Sequence, residues 1–115
     1  MIQLNHKNSM LLEKVTVNSL ENIDFKNKKL INTINPHSYL TAQTDKAFAD
    51  ALNASDILLP DGVGIVWAKQ LLNKTKIKKI AGYDLFIFLM ANLNKKKGSC
   101  FFLGSSEKTL NLIKK

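Results

Sequence analysis

Short apolar runs alternating with stretches of helical periodicity predict an α/β fold: an open, mostly parallel sheet flanked by helices. Three observations carry this expectation. The runs 30–35, 56–60 and 99–103 have the length and composition of strands. Each is followed at once by a helix-start signal, respectively Asn35-Pro36, Asp61-Gly62 and Gly104-Ser105-Ser106. Between the signals, apolar residues recur at helical spacing.

The amino-terminal segment is the least readable. Met1 to Asn8 reads as a loose lead-in, and Val15-Thr16-Val17 as a short strand. The first clear strand is 29–34, closed by Asn35-Pro36: Asn is a good helix N-cap and Pro suits the first helical position. That helix breaks at Thr44-Asp45, a second cap, after which Phe48, Ala51 and Leu52 share a face. The run 56–60 suits a strand buried on both faces of a parallel sheet. Asp61-Gly62-Val63-Gly64 then turns the chain into a helix starting near 62 that carries Ile65, Val66, Ala68, Leu71 and Leu72, with Trp67 packed in it. A basic connector from Lys74 to Lys79 leads through Gly82 to a helix from Asp84 to about Asn94. Lys97-Gly98 precedes the strand 99–103, and a last helix opens near 106. It has fewer than three turns and no cap or Gly/Pro stop, and three strands are few for such a sheet, so a Rossmann-like domain truncated partway is expected.

Composition limits the function classes. At 115 residues, 45% hydrophobic and 23% charged, the chain is one globular domain, small for an enzyme with two substrates. All 17 basic residues are Lys, which with 9 acids give a charge of +8. Lys, Asn and Ile are jointly in excess, as an AT-rich genome would encode, so the charge reads first as composition. A basic surface still favours anionic lipid or a diphosphate. The lysines are scattered, arginine is absent and no aromatic-and-basic motif occurs, which makes a nucleic-acid binder the weakest class. Cys100 is the only cysteine; with no internal disulfide available, a reducing compartment and a buried structural thiol are expected. No apolar stretch reaches membrane-spanning length and the polar start is no signal peptide, so a cytoplasmic protein that touches a membrane without crossing it is expected.

Ligands of open α/β sheets sit outside the carboxyl ends of the strands. Thr33-Ile34-Asn35-Pro36, Pro60-Asp61-Gly62-Val63-Gly64 and Leu103-Gly104-Ser105-Ser106 occupy such positions, and their polar groups are expected to converge on one rim. Asp61 has two readings, a helix N-cap or a general base toward a substrate hydroxyl. Gly62 and Gly64 allow a tight turn, and the helix start behind them favours an anion. Thr33 and Asn35 offer a hydroxyl and an amide, or simply a strand end and a cap. Gly104 opens a turn whose backbone N–H groups could cradle a phosphate. His37 reads as a solvent-facing residue of a first turn, and His6 has no metal-ligand spacing, so no metal site and no cofactor is read.

Four segments in order carry a family likeness: 30–36, 51–64, 80–86 and 101–104. The chain resembles the TagA/WecG-type glycosyltransferases, glycosyltransferase family 26, over about residues 30–110. The resemblance implies an inverting, metal-independent transfer of a sugar, N-acetylmannosamine in the best-known members, from a UDP-sugar to a polyprenyl-diphosphate-linked acceptor in teichoic acid or surface polysaccharide synthesis. It implies that Asp61, in Pro-Asp-Gly, is the base and that Thr33 and Asn35, in Thr-x-Asn, line the pocket. Gly62 and Gly104 stand in matching motifs. Lys79 replaces the usual Arg before Ala-Gly-x-Asp, keeping the charge but losing the planar fork that grips phosphate.

Family chains are about twice this length. Their carboxyl half supplies further sheet, nucleotide contacts and a basic membrane-docking appendage. Residues 1–115 therefore read as the amino-terminal part of a catalytic domain, inactive alone, peripheral at the inner face of the plasma membrane, and with an exposed sheet edge that admits a homo-oligomer. The other class in play is a non-catalytic nucleotide-binding α/β module using the same rim.

Overall fold

The computed structural model describes residues 11–16 and 18–114. The expected lead-in, His6 and Val17 lie outside them. Val15 and Thr16 are not in a strand, and Val15 is instead a core residue.

A two-stranded parallel sheet forms the centre. Strands β1 (Ile31–Ile34) and β2 (Ile57–Pro60) pair in register Ile31↔Ile57 through Ile34↔Pro60. Their amino ends are clamped: the Leu30 carbonyl accepts from Asp56 N–H at 2.9 Å, and the Asp56 carboxylate accepts from Leu30 N–H at 2.7 Å. The crossover between them consists of helices α1 (Pro36–Thr44) and α2 (Lys46–Asn53). Both start where local chemistry puts them. Asn35 Oδ1 accepts from Ser38 N–H and Ser38 Oγ from Asn35 N–H, each at 2.8 Å, forming a reciprocal capping box before Pro36. Asp45 then caps α2 by accepting from Phe48 N–H at 2.9 Å. On α2, Phe48, Ala49 and Leu52 pack inward while Ala51 is exposed.

Successive residues of β2 point to opposite faces and both faces are covered, as the continuous apolar run requires. Leu58 joins one cluster with Leu11, Leu12, Val15, Ile34, Leu52, Ile65 and Ile77. Leu59 joins a smaller one with Ile23 and Ile80, against which Leu85 packs. Both leucines are fully buried, worth roughly 1.5–3 kcal/mol each. After β2 come α3 (Val63–Asn73) and α4 (Gly82–Lys96); between them Ile80 N–H donates to the Pro60 carbonyl at 2.9 Å, running the connector past the end of β2. The chain closes with α5 (Glu107–Ile113), capped by Ser106.

The alternation of strands and helices is as the sequence implies, with one correction. Residues 99–103 are not a strand and share no sheet with β2. A strand exists only through main-chain pairing, and this run pairs with neither strand. Phe101 and Leu103 are 86% and 92% exposed, and only the Phe102 ring finds a neighbour, Phe86, at 6.1 Å. Cys100 is consequently exposed rather than buried. No described residue beyond Ile80 is buried. Trp67 is also corrected: it points out from α3, because Ile65 and Lys69 occupy the inward face. Helix α4 begins at Gly82, two residues before the expected Asp84, whose carboxylate reaches back to the Ala81 N–H at 2.8 Å. No helix among the described residues is long and apolar enough to cross a membrane.

Candidate active site

Pairing Ile34 with Pro60 brings the carboxyl ends of both strands to one level, so Asn35 and Asp61 leave the sheet side by side. The junction is locked by Asp61 N–H donating to the Ile34 carbonyl at 2.9 Å. Strand alternation puts Thr33 on the face of Leu59, toward α4, and Asn35 and Asp61 follow directly on the two strand ends. The contact is visible at Gly82, where an added Cβ would lie 3.8 Å from the Thr33 methyl. The first-turn N–H groups of α4 have no intrahelical acceptor, and the helix start carries partial positive charge.

Asp61 is half-buried, and its carboxylate has no hydrogen-bond or ion-pair partner among the described residues. The helix-cap reading of this residue does not hold. The N-cap of α3 is Gly62, and no side chain caps it. Gly62 has φ 131°, a conformation open to glycine, and a Cβ there would stand 3.3 Å from Pro36 Cδ. At Gly64 a Cβ would be 2.8 Å from Pro36 Cγ. The Gly-Val-Gly turn thus lets α3 approach the ring of Pro36, which holds the two loops against one another. Asn35 Oδ1 is committed to the cap of α1, leaving its Nδ2 as the group available to a ligand.

Two of the three expected motifs therefore converge: Thr33, Asn35, Asp61 and Gly62 form one rim. Lys79, exposed, precedes the Ile80–Pro60 bond and so enters the rim's edge from the connector. Gly104 stands apart from it, exposed, at φ 115°, with nothing within 4 Å of a Cβ, and follows the unpaired run 99–103. His37 faces solvent, as expected. Gly82 and Asp84 were missed as organisers of the rim, although an acid three residues after Ala81 is a readable cap signal. Behind Pro36, between the first turns of α1 and α3, lies an apolar pocket of about 210 Å³. The Tyr39 hydroxyl, buried without a hydrogen-bond partner among the described residues, belongs to a residue lining it.

An unpartnered carboxylate and a Thr-x-Asn pair stand at joined parallel-strand ends beside a helix start, the position at which open α/β sheets take their ligands. Residues 5–115 match the model of the Glycosyl transferase WecG/TagA/CpsF family, and the chain belongs to that family. It is 39% identical over 85 residues to an N-acetylglucosaminyldiphosphoundecaprenol N-acetyl-beta-D-mannosaminyltransferase of Bacillus subtilis strain 168, covering 74% of this chain and 33% of that one. It is 32% identical over 105 residues to the protein of the same name from Bacillus spizizenii, covering 91% of this chain and 41% of the relative. The matched segments thus span a third to two-fifths of those relatives.

Proposed function

We propose that this chain supplies the catalytic base and the strand-end rim of an inverting glycosyltransferase that moves N-acetylmannosamine from a UDP-sugar to a polyprenyl-diphosphate-linked acceptor. The observation that supports this most is the Asp61 carboxylate, held at the joined strand ends and without a partner among the described residues. In the reaction, the acceptor hydroxyl oxygen attacks the anomeric carbon while Asp61 takes its proton. The bond from that carbon to the UDP oxygen breaks in line on the opposite face, and UDP leaves with the electron pair. Its charge is met by Lys79 and by the amino terminus of α4. Thr33 and Asn35 Nδ2 orient the sugars, and Gly62 lets the ligand approach backbone. Gly104 contributes backbone donors to the diphosphate once residues 99–103 are paired.

The chain acts as the amino-terminal part of the catalytic domain and turns over poorly alone. Its exposed apolar third, 81–114, favours self-association, and the lipid-linked acceptor places it at a membrane surface on the cytoplasmic side. The test is transfer from UDP-N-acetylmannosamine to a short-chain lipid-linked acceptor in detergent. It is run with the chain alone and with the separately expressed carboxyl-terminal part of the Bacillus subtilis relative. Transfer that needs both pieces supports the proposal. Robust turnover by the chain alone overturns its incompleteness, and UDP binding without transfer in the pair reduces it to a nucleotide-binding module.

A further inference from the structure

Helix α3 has its polarity reversed. Its single charged residue, Lys69, is buried and donates Nζ to the Leu12 carbonyl at 2.7 Å. Its outer face carries Val63, Trp67 and Leu71, four residues apart, with exposures of 54%, 69% and 81%. A surface helix ordinarily puts polar groups on that side. The flank of the stripe is strongly basic. Lys74, Lys76, Lys78 and Lys79 are all exposed, and no acid occurs between Asp61 and Asp84. Lys76 and Lys78 border one surface pocket with Gln70, three residues along α3 from Trp67, so the charge lies beside the stripe. The one ion pair among the described residues involves Lys46, so these lysines lack acidic partners.

We infer that the outer face of α3 and the 74–78 segment dock on an anionic phospholipid surface, with Trp67 at the headgroup–acyl boundary and Lys74, Lys76 and Lys78 among the headgroup phosphates. A tryptophan-centred apolar stripe flanked by lysines matches both layers of such a surface. Other occupants fit less well. Added strands would extend the sheet at its edges, whereas this face lies opposite the core-packed side of α3. A two-fold dimer through the stripe would bring the two lysine clusters toward one another. A nucleic acid would engage the lysines and leave Val63 and Leu71 in water. The inference rests on the proposed function in one respect only. Because α3 starts directly after Asp61, docking would hold the rim at the surface where a lipid-linked acceptor presents its sugar.

Trp67 is the sole tryptophan, so its fluorescence reports on this face alone. The full chain is titrated with phosphatidylglycerol vesicles, with phosphatidylcholine vesicles and with a single-stranded oligonucleotide. With phosphatidylglycerol, the emission should shift to the blue and be quenched by brominated acyl chains; with phosphatidylcholine it should not. Lys76→Gln with Lys78→Gln should weaken vesicle binding roughly tenfold or more, and Leu71→Ser should reduce the blue shift. Co-sedimentation with phosphatidylglycerol while the Trp67 emission stays unchanged would overturn the inference. So would a blue shift that grows with protein concentration without vesicles, or one given equally by the oligonucleotide. Transfer in detergent tests the proposed function without any bilayer, so the two ideas fail separately.

Discussion

Replacing Gly64 by alanine would place a methyl carbon 2.8 Å from Pro36 Cγ, closer than real Cβ contacts come. The neighbour is a closed ring with no rotamer to change, and it sits in the first turn of α1, so relief requires moving α1 or α3. Overpacking of this kind costs about 1–3 kcal/mol. Opposing it is helix propensity, since alanine is better than glycine inside a helix by about 1 kcal/mol. The expected net is a loss of roughly 0–2 kcal/mol. Gly98 provides an internal control. A Cβ there would be closer still to its neighbour, 2.6 Å, but the neighbour is Leu93 Cδ2, the far end of a flexible side chain. Gly98→Ala should therefore change stability by about 0.5 kcal/mol or less despite the shorter distance. Urea denaturation of Gly64→Ala, Pro36→Ala and the double variant completes the cycle. With the ring gone, Gly64→Ala should turn from costly to neutral or stabilising. If its effect is the same with and without Pro36, the ring does not bear on α3, and the account of how the two loops are held together is wrong.

Further outcomes follow from the same geometry. Asn35→Ala removes the acceptor for Ser38 N–H and should cost about 1 kcal/mol in urea denaturation, with Asn35→Asp close to parental. Burial lowers the Lys69 pKa below 10.5, against the opposing pull of Glu13, so between the lowered value and 10.5 the unfolded chain binds more protons. That group's contribution to stability therefore rises with pH in this window. The stability of the parent relative to Lys69→Met should improve between neutral pH and 10.5, as measured by denaturation at both ends. Thr33→Val in the reconstituted enzyme keeps the methyl facing Gly82 and removes only the hydroxyl. Turnover should fall by less than it does on loss of the base, with melting temperature unchanged.

What the sequence made legible was local. Asn35-Pro36 and Asp45 announce their helices because a cap is a contact between residues three apart, and both caps form. The run 56–60, ended by Asp61-Gly62, is readable as a doubly buried strand because neither face offers a polar alternation. Residues 99–103 are likewise a short apolar run, yet pairing is a non-local event that composition does not guarantee, and they stay open. Exposed Cys100 follows from that one difference. Helical spacing likewise gives a period and not a direction. With apolar residues on both sides of α3, only the structure shows that Ile65 and Lys69 face in and Trp67 out. The site was legible where Thr-x-Asn and Pro-Asp-Gly end adjacent strands. The N-cap fell one residue later than Asp61, a shift that pattern reading does not resolve and that frees the carboxylate.

The central claim is that Asp61 acts as a base rather than as part of the scaffold. Its side chain makes no hydrogen bond among the described residues, so Asp61→Asn should leave the melting temperature of the chain unchanged. An amide cannot take the acceptor's proton at neutral pH, so turnover of UDP-N-acetylmannosamine by the reconstituted enzyme should drop by roughly 10²–10⁴-fold, with UDP affinity little altered. The measurement is that rate, taken beside the melting curve on the same preparation. Parental turnover in Asp61→Asn would contradict the account and leave the rim without its base.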